Sequence, residues 1–417
     1  MKYTEALAWL YSLQRFGIKL GLENIRRLIA ETHVDLGGAR VIHVAGTNGK
    51  GSVCAMIDSI CRAQKYRTGL FVSPHLVTFR ERIRIDGEMI SKNEVAVGLT
   101  NIRKLVADWE PHPTFFEIAT ALALKHFIEA TIDIVILETG LGGRLDATNA
   151  VQSNVAVITP IALDHEKWLG DSLEKIANEK AGIIKAQTPV VSAPQLPEAD
   201  KVIRAHATEC EAPLEFVEQV YDKSPIALRG EHQKLNAAIA IAAIRAANVE
   251  IDEAAVTRGL AAVEWPGRFQ CWDKRTVIDG AHNPAAARIL IQTWREIFGD
   301  ERATLILAIL LILAILSDKD LHGICEALAP IADLVLLPNI RSERAADPEE
   351  LAQTLASVCR AGASPAGNRS GRPTIAIASS FAEAFELARA KSNPVLITGS
   401  LHFAGEALAN LTGKPAA

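Results

Sequence analysis

Short apolar runs alternate with longer amphipathic stretches along most of this chain. "VIHVAG", "RTGLFVS", "IDIVILETG", "NVAVITPI" and "PVVSAP" are each a few residues long and rich in Val and Ile. The stretches between them are often long enough for crossover helices, as parallel strands require. The first 40 residues read instead as two helices, and "GIKLGLENIRRLIAE" places Ile18, Leu22, Ile25, Leu28 and Ile29 at helical spacing. The strand pattern restarts near residue 270 with "RTVIDGAHNP", "ATLILAIL", "DLVLLP", "PTIAIASS" and "PVLITGS". Between the two series lies "VEWPGRFQ", Val263 to Gln270, whose Pro266 and Gly267 suit a linker. The pattern therefore predicts an α/β chain of two domains. Residues 1–265 form an N-terminal mononucleotide-binding domain with a P-loop and a parallel-rich sheet, and residues 266–417 form a smaller, Rossmann-like α/β domain.

Three segments depart from this rhythm. "LILAILLILAIL", Leu305 to Leu316, is a hexapeptide in tandem; it is too short to span a bilayer and runs into "SDKD", so it reads as a buried strand. Arg360 to Pro373, rich in Gly, Pro, Ser and Ala, reads as a surface loop, and Gln195 to Lys223 carries no recognisable motif.

Composition narrows the function classes. A chain of 417 residues exceeds what one core usually organises, and 49% hydrophobic with 22% charged residues fits a globular protein. The net charge of -5 gives no general basic field for a nucleic-acid backbone. The six cysteines include no CxxC pair and read as reduced thiols, and the amphipathic amino terminus lacks a signal-peptide core. The expected compartment is the cytoplasm, with no membrane partner.

The candidate chemistry begins at "GTNGKGS". A strand ending at Gly46, a tight loop and a helix starting near Ser52 bring backbone N–H groups to one point, where phosphate is favoured. Lys50 can reach outer phosphates and Ser52 can ligate an accompanying magnesium. The spacing is unusual, because Gly51 separates Lys50 from Ser52. Glu138 stands at the end of a second strand, before "GLGGRLDATN", and Asp164 and His165 at the end of a third; Lys180 follows in "NEKAGIIK". Strand ends of this kind are where open α/β sheets bind ligands.

Taken in order, "GTNGKGS", "SPHL", "LETGLGGRLDATN", "LDHEKWLG", "EKAGIIK", "GEHQKLNAA" and "DGAHNPAA" resemble the folylpolyglutamate synthase and dihydrofolate synthase family, within the Mur-type ATP-dependent amide ligases. The inserted Gly51 is that group's form of the loop. The resemblance implies a cytoplasmic, monomeric enzyme acting on dihydropteroate, folates and L-glutamate, with ATP and two magnesium ions as cofactors. It implies that Gly46, Thr47, Asn48, Gly49, Lys50, Gly51 and Ser52 hold the nucleotide together with Asn236, Arg268, Asp279 and His282. Ser52, Ser73 and Glu138 would hold one magnesium and His165 and Lys180 a second, with Lys180 carbamylated. Lys50, Glu138, His165 and Lys180 form the implied catalytic set; His75, Arg82, Arg144 and Asp146 face the substrate.

The resemblance further implies glutamate addition through an acyl phosphate. "RLDATN", with Asp146, points to a member that both makes dihydrofolate and extends folates. Two alternatives stay open here: another Mur-type ligase, against which "GLGGRLDATN" and "SPHL" weigh, and a non-catalytic nucleotide-binding protein, which would not need "DGAHNP" on a second domain. One departure is local: "AILSDKD" stands where the family has a Gly-Met-Leu-like strand end, which leaves the register around Lys319 open.

Overall fold

The computed structural model describes residues 1–17, 21–299, 301–307, 320–340, 345–361 and 373–413. The first sheet has eight strands: β1 (Arg40–Ala45), β2 (Thr68–Phe71), β3 (Ile83–Ile85), β4 (Glu88–Met89), β5 (Ile134–Glu138), β6 (Val155–Ile158), β7 (Val190–Ser192) and β8 (Leu214–Phe216). Their order is β4-β3-β2-β5-β1-β6-β7-β8. The pairings from β2 through β8 are parallel; β3 and β4 add an antiparallel edge.

Alternation along the buried strands sorts side chains to the two faces of this sheet. Ile134 and Ile136 join one cluster with Val53, Ile57 and Ile239, whereas Val135 and Leu137 join the opposite cluster with Leu10, Leu99 and Leu124. Both faces are thus covered by helices, which is why these strands read as unbroken Val/Ile runs rather than as polar alternation.

The second sheet has six strands among the described residues: β9 (Gln270–Cys271), β10 (Thr276–Ile278), β11 (Ala303–Leu307), β12 (Ala332–Pro338), β13 (Thr374–Ala378) and β14 (Val395–Thr398). Their order is β13-β12-β11-β14-β10-β9, parallel except for β9 against β10. Among the described residues, no strand lies between Phe216 and Gln270.

Several expectations shift. The amino-terminal helices are Tyr3–Ser12 and Glu23–Glu31, joined in part by a 3-10 turn at Leu13–Phe16; Ile18 lies outside the described residues. The motif-free stretch after Gln195 contains helix Pro197–Glu209 and β8. β11 takes Leu305–Leu307 of the hexapeptide, while 308–316, Lys319 and most of the Arg360–Pro373 segment lie outside the described residues.

Candidate active site

Four neighbouring strands of the first sheet deliver the site at their carboxyl ends: β1 runs into Gly46, β2 into Ser73, β5 ends on Glu138 and β6 runs into Asp164 and His165. The loop after β1 is held from below. The backbone N–H groups of Thr47 and Asn48 both donate to Pro160 O at 3.1 Å, and the Thr47 hydroxyl bonds Ala162 O at 3.0 Å. Gly46 adopts φ 144°, and a Cβ there would stand 1.9 Å from Thr159 Oγ1, so only glycine lets the loop sit against β6. Asn236 abuts the same loop at Gly49, and Trp265 of the linker abuts Gly51.

Helix Lys50–Ala63 begins on Gly49, so its free N–H groups face the loop. Lys50 Nζ folds back onto the carbonyls of Gly46 and Thr47, at 3.1 and 3.2 Å. Lys180 Nζ reaches the same Gly46 carbonyl at 2.7 Å, from a buried position on helix Leu173–Ala181. Burial, and then the charge of Lys50, push Lys180 down to about 7, with Asp164 and Asp146 opposing.

Glu138 is buried and accepts the Ser73 N–H at 3.0 Å. Its burial raises its pKa, opposed first by Lys50. The Ser52 side chain is also buried, one turn into the phosphate-loop helix. A hydroxyl and a carboxylate beside a phosphate loop are hard oxygen donors that fit magnesium. Among the described residues no group of three His, Cys, Asp or Glu could hold a metal. His165 has a left-handed backbone, φ 54°, and its N–H donates to Asp164 Oδ1 at 2.9 Å.

The second domain reaches this point through "AHNP". Asn283 caps helix Pro284–Phe298 by accepting the Ala286 N–H at 2.8 Å. Its Nδ2 donates to Asn48 Oδ1 at 3.1 Å and Asp164 Oδ2 at 3.2 Å, so one side chain joins phosphate loop, β6 end and second domain. His282 Nε2 stands 3.5 Å from Asp164 Oδ2. Asp279 accepts from the backbone of Phe269 and Ala281, each at 2.8 Å, and so braces the turn that carries Arg268. The cap of the helix at Pro284 is Asn283, not Asp279 or His282. Burial raises the Asp279 carboxyl as it does that of Glu138, and the nearby charge of Arg268 opposes the rise in both.

The substrate-side residues fall into two groups. Arg82 is buried, donates Nε to His75 Nδ1 at 2.8 Å and lies over Phe115 at 5.2 Å. Tyr11 stacks on Phe115 and its hydroxyl is 3.4 Å from His75 Nε2. Burial lowers Arg82 to about 10 and His75 to about 3, so His75 is a neutral acceptor. Arg144, in the second group, pairs with Glu179 at 2.8 Å. Asp146 Oδ2 accepts the N–H groups of Gly140 and Leu141 at 2.9 Å, and Oδ1 accepts those of Thr148, amide and hydroxyl. Four donors fill a carboxylate's acceptor sites. Asp146 therefore shapes its loop rather than offering free acceptors to a ligand.

Sequence reasoning passed over Thr159, Trp265, Asn283, Tyr11 and Phe115. Only Asn283 carried a local signal, an Asn directly before a helix-opening Pro; the others act through contacts between distant segments.

Residues 44–193 match the Mur ligase middle domain and residues 267–401 the Mur ligase, glutamate ligase domain. The chain is 34% identical to the dihydrofolate synthase/folylpolyglutamate synthase of Bacillus subtilis, over 96% of this chain and 97% of that one. It is 35% identical to the enzyme of the same name from Escherichia coli, over 95% and 92%. A probable bifunctional folylpolyglutamate synthase/dihydropteroate synthase of Haloferax volcanii is 33% identical over 98% of this chain, which spans 50% of that relative. Among solved structures, Mycobacterium tuberculosis folylpolyglutamate synthase complexed with ADP and AMPPCP superposes with a TM-score of 0.86 at 33% identity, covering 100% of both chains. E. coli FolC in complex with DHPP and ADP gives 0.85 at 33% identity, over 98% of each. The Yersinia pestis bifunctional enzyme complexed with AMPPNP and Mn gives 0.84 at 31% identity, over 99% and 98%. With near-complete coverage at this identity, and both domain matches in place, the chain belongs to the dihydrofolate synthase/folylpolyglutamate synthase family of Mur-type ATP-dependent ligases.

Proposed function

We propose that this chain adds L-glutamate to dihydropteroate, giving dihydrofolate, and adds further glutamates to folates, each time through an acyl phosphate. The observation that carries this reading is the convergence on one phosphate loop of two lysines, a buried carboxylate and a side chain from the second domain. A carboxylate oxygen of the substrate attacks the terminal phosphorus of ATP, and ADP leaves. The glutamate amine then attacks the acyl carbon, phosphate leaves, and the amine's extra proton passes to a base. Phosphoryl transfer is promoted mostly by positioning and by cations around the transferring oxygens.

The phosphate-loop N–H groups and Lys50 hold the phosphates. Asn236, Arg268, Asp279 and His282 are assigned to the nucleotide side; Asp279 acts through the turn it braces. His75 and Arg82 on one side, and the loop of Arg144 and Asp146 on the other, are assigned to the folate and glutamate. Ser52, Ser73 and Glu138 would hold one magnesium, and His165 and Lys180 a second; bound there, the ions would neutralise phosphate charge. A Lys180 amine pushed down to about 7 is partly neutral at pH 7, as attack on carbon dioxide requires, and the carbamate product is an anion suited to that second ion. The bridge made by Asn283 supports a closed arrangement that keeps water from the acyl phosphate.

We place this activity in the cytoplasm, in a monomer that engages neither membrane nor nucleic acid. The six thiols are all free, and no helix among the described residues is long and apolar enough to cross a membrane. The deciding experiment supplies ATP, magnesium and L-glutamate with dihydropteroate or tetrahydrofolate in parallel. Glutamylated product is expected from both. Product from neither would leave a nucleotide-binding protein without ligase activity.

A further inference from the structure

His43 lies at the middle of β1, fully buried, between β5 and β6. An imidazole there is an expensive choice, since every β1 neighbour from Val41 to Ala45 is apolar. Its Nε2 is 2.8 Å from Thr148 Oγ1, and its Nδ1 is buried with no hydrogen-bond partner. The Thr148 hydroxyl also contacts Asp146 Oδ1, and the other oxygen of Asp146 gathers the N–H groups of Gly140 and Leu141. We propose that His43 is a positioning residue, the anchor of a one-way hydrogen-bond chain, His43 Nε2–H to Thr148 O–H to Asp146, that sets the loop Gly140–Asn149 for the substrate.

Two independent points fix the direction. A hydroxyl has one hydrogen. Asp146 already draws three backbone N–H groups to its oxygens, as an acceptor does, so the Thr148 hydrogen goes to it and Thr148 must receive from His43. The orphaned Nδ1 gives the same answer: a buried N–H without a partner is rarer than a buried acceptor without one, so the proton belongs on Nε2. Burial, then the charge of Lys185, hold the ring neutral by lowering it to about 3. The anchor is therefore constant across the working pH range. It ties the loop to the central strand whose end carries the phosphate loop, so Asp146 and Gly46 are referenced to one rigid element.

This inference rests on the loop being a substrate loop, as proposed above. The test uses the full-length chain. With histidine nitrogens labelled, the His43 ring should show an N–H at Nε2 and a bare Nδ1, unchanged between pH 5 and 8. Thr148→Val should raise the KM for dihydropteroate about tenfold, the effect of one lost hydrogen bond, and leave the KM for ATP within about twofold. Thr148→Ser should restore the wild-type value. His43→Gln, which keeps a donor near the Nε2 position, should be milder than His43→Leu; if His43→Leu fails to fold, the Thr148 pair decides. A proton on Nδ1, or unchanged kinetics in Thr148→Val, overturns the proposal. Absence of ligation by the unaltered chain would instead sink the functional reading.

Discussion

Gly51→Ala isolates the inserted glycine of the phosphate loop. Gly51 has an ordinary helical backbone, so alanine should favour the helix by about 1 kcal/mol. The added Cβ, however, would stand 2.7 Å from Trp265 Nε1 and 3.3 Å from Cε2, inside the 3.4 Å at which ordinary contact begins. Trp265 cannot simply swing away: it packs on the first-domain core, sits in the linker before Pro266, and has the Arg84 guanidinium 5.3 Å from its ring. Overpacking of this kind costs about 1–3 kcal/mol, so the net expectation is a loss of about 0–2 kcal/mol. In a Trp265→Ala background the clash is gone, and the same substitution should stabilise by about 1 kcal/mol. The readout is the midpoint of the urea transition that added ADP displaces, compared across the four proteins of the cycle. Equal effects of Gly51→Ala with and without the indole would refute the packing explanation.

Lys50→Ala should abolish ligation while leaving the circular dichroism spectrum near wild type, because the hydrogen bonds of its Nζ go to loop carbonyls and not to the packed core; near-normal turnover in the folded variant would remove Lys50 from the reaction. Bicarbonate-free buffer should lower activity through Lys180, and mass spectrometry of the native protein should show added carbon dioxide that Lys180→Ala lacks; full activity without bicarbonate counts against the carbamate. His75 provides a pH test. Its folded pKa, about 3, lies below the unfolded value of about 6.5, so between these values the unfolded chain binds the extra proton and stability falls as pH falls. His75→Gln should shallow that fall by about one proton's worth, measured as the slope of the thermal midpoint from pH 6.5 to 4; an unchanged slope would mean the imidazole is charged in the fold.

The central parallel strands were legible because they are buried on both faces, and runs such as Ile134 to Leu137 have no polar position to confuse the period. The edges of the first sheet were not. β4 has two exposed residues and β8 is only partly buried, so neither carries the apolar signal. The phosphate loop was legible because glycine spacing and a following helix are local. Its supports were not, since Thr159 and Trp265 meet the loop only through the fold. Asp146 was visible as a residue but not in its role: only with four donors from its own loop in place does its carboxylate show no acceptor left for a ligand.

The two lysines that meet on the Gly46 carbonyl join the start of one helix and the end of another at a single backbone oxygen. Groups that share a partner do not contribute additively. Changes at Lys50 and at Lys180 therefore should not sum: the loss caused by one depends on whether the other ammonium is still in place.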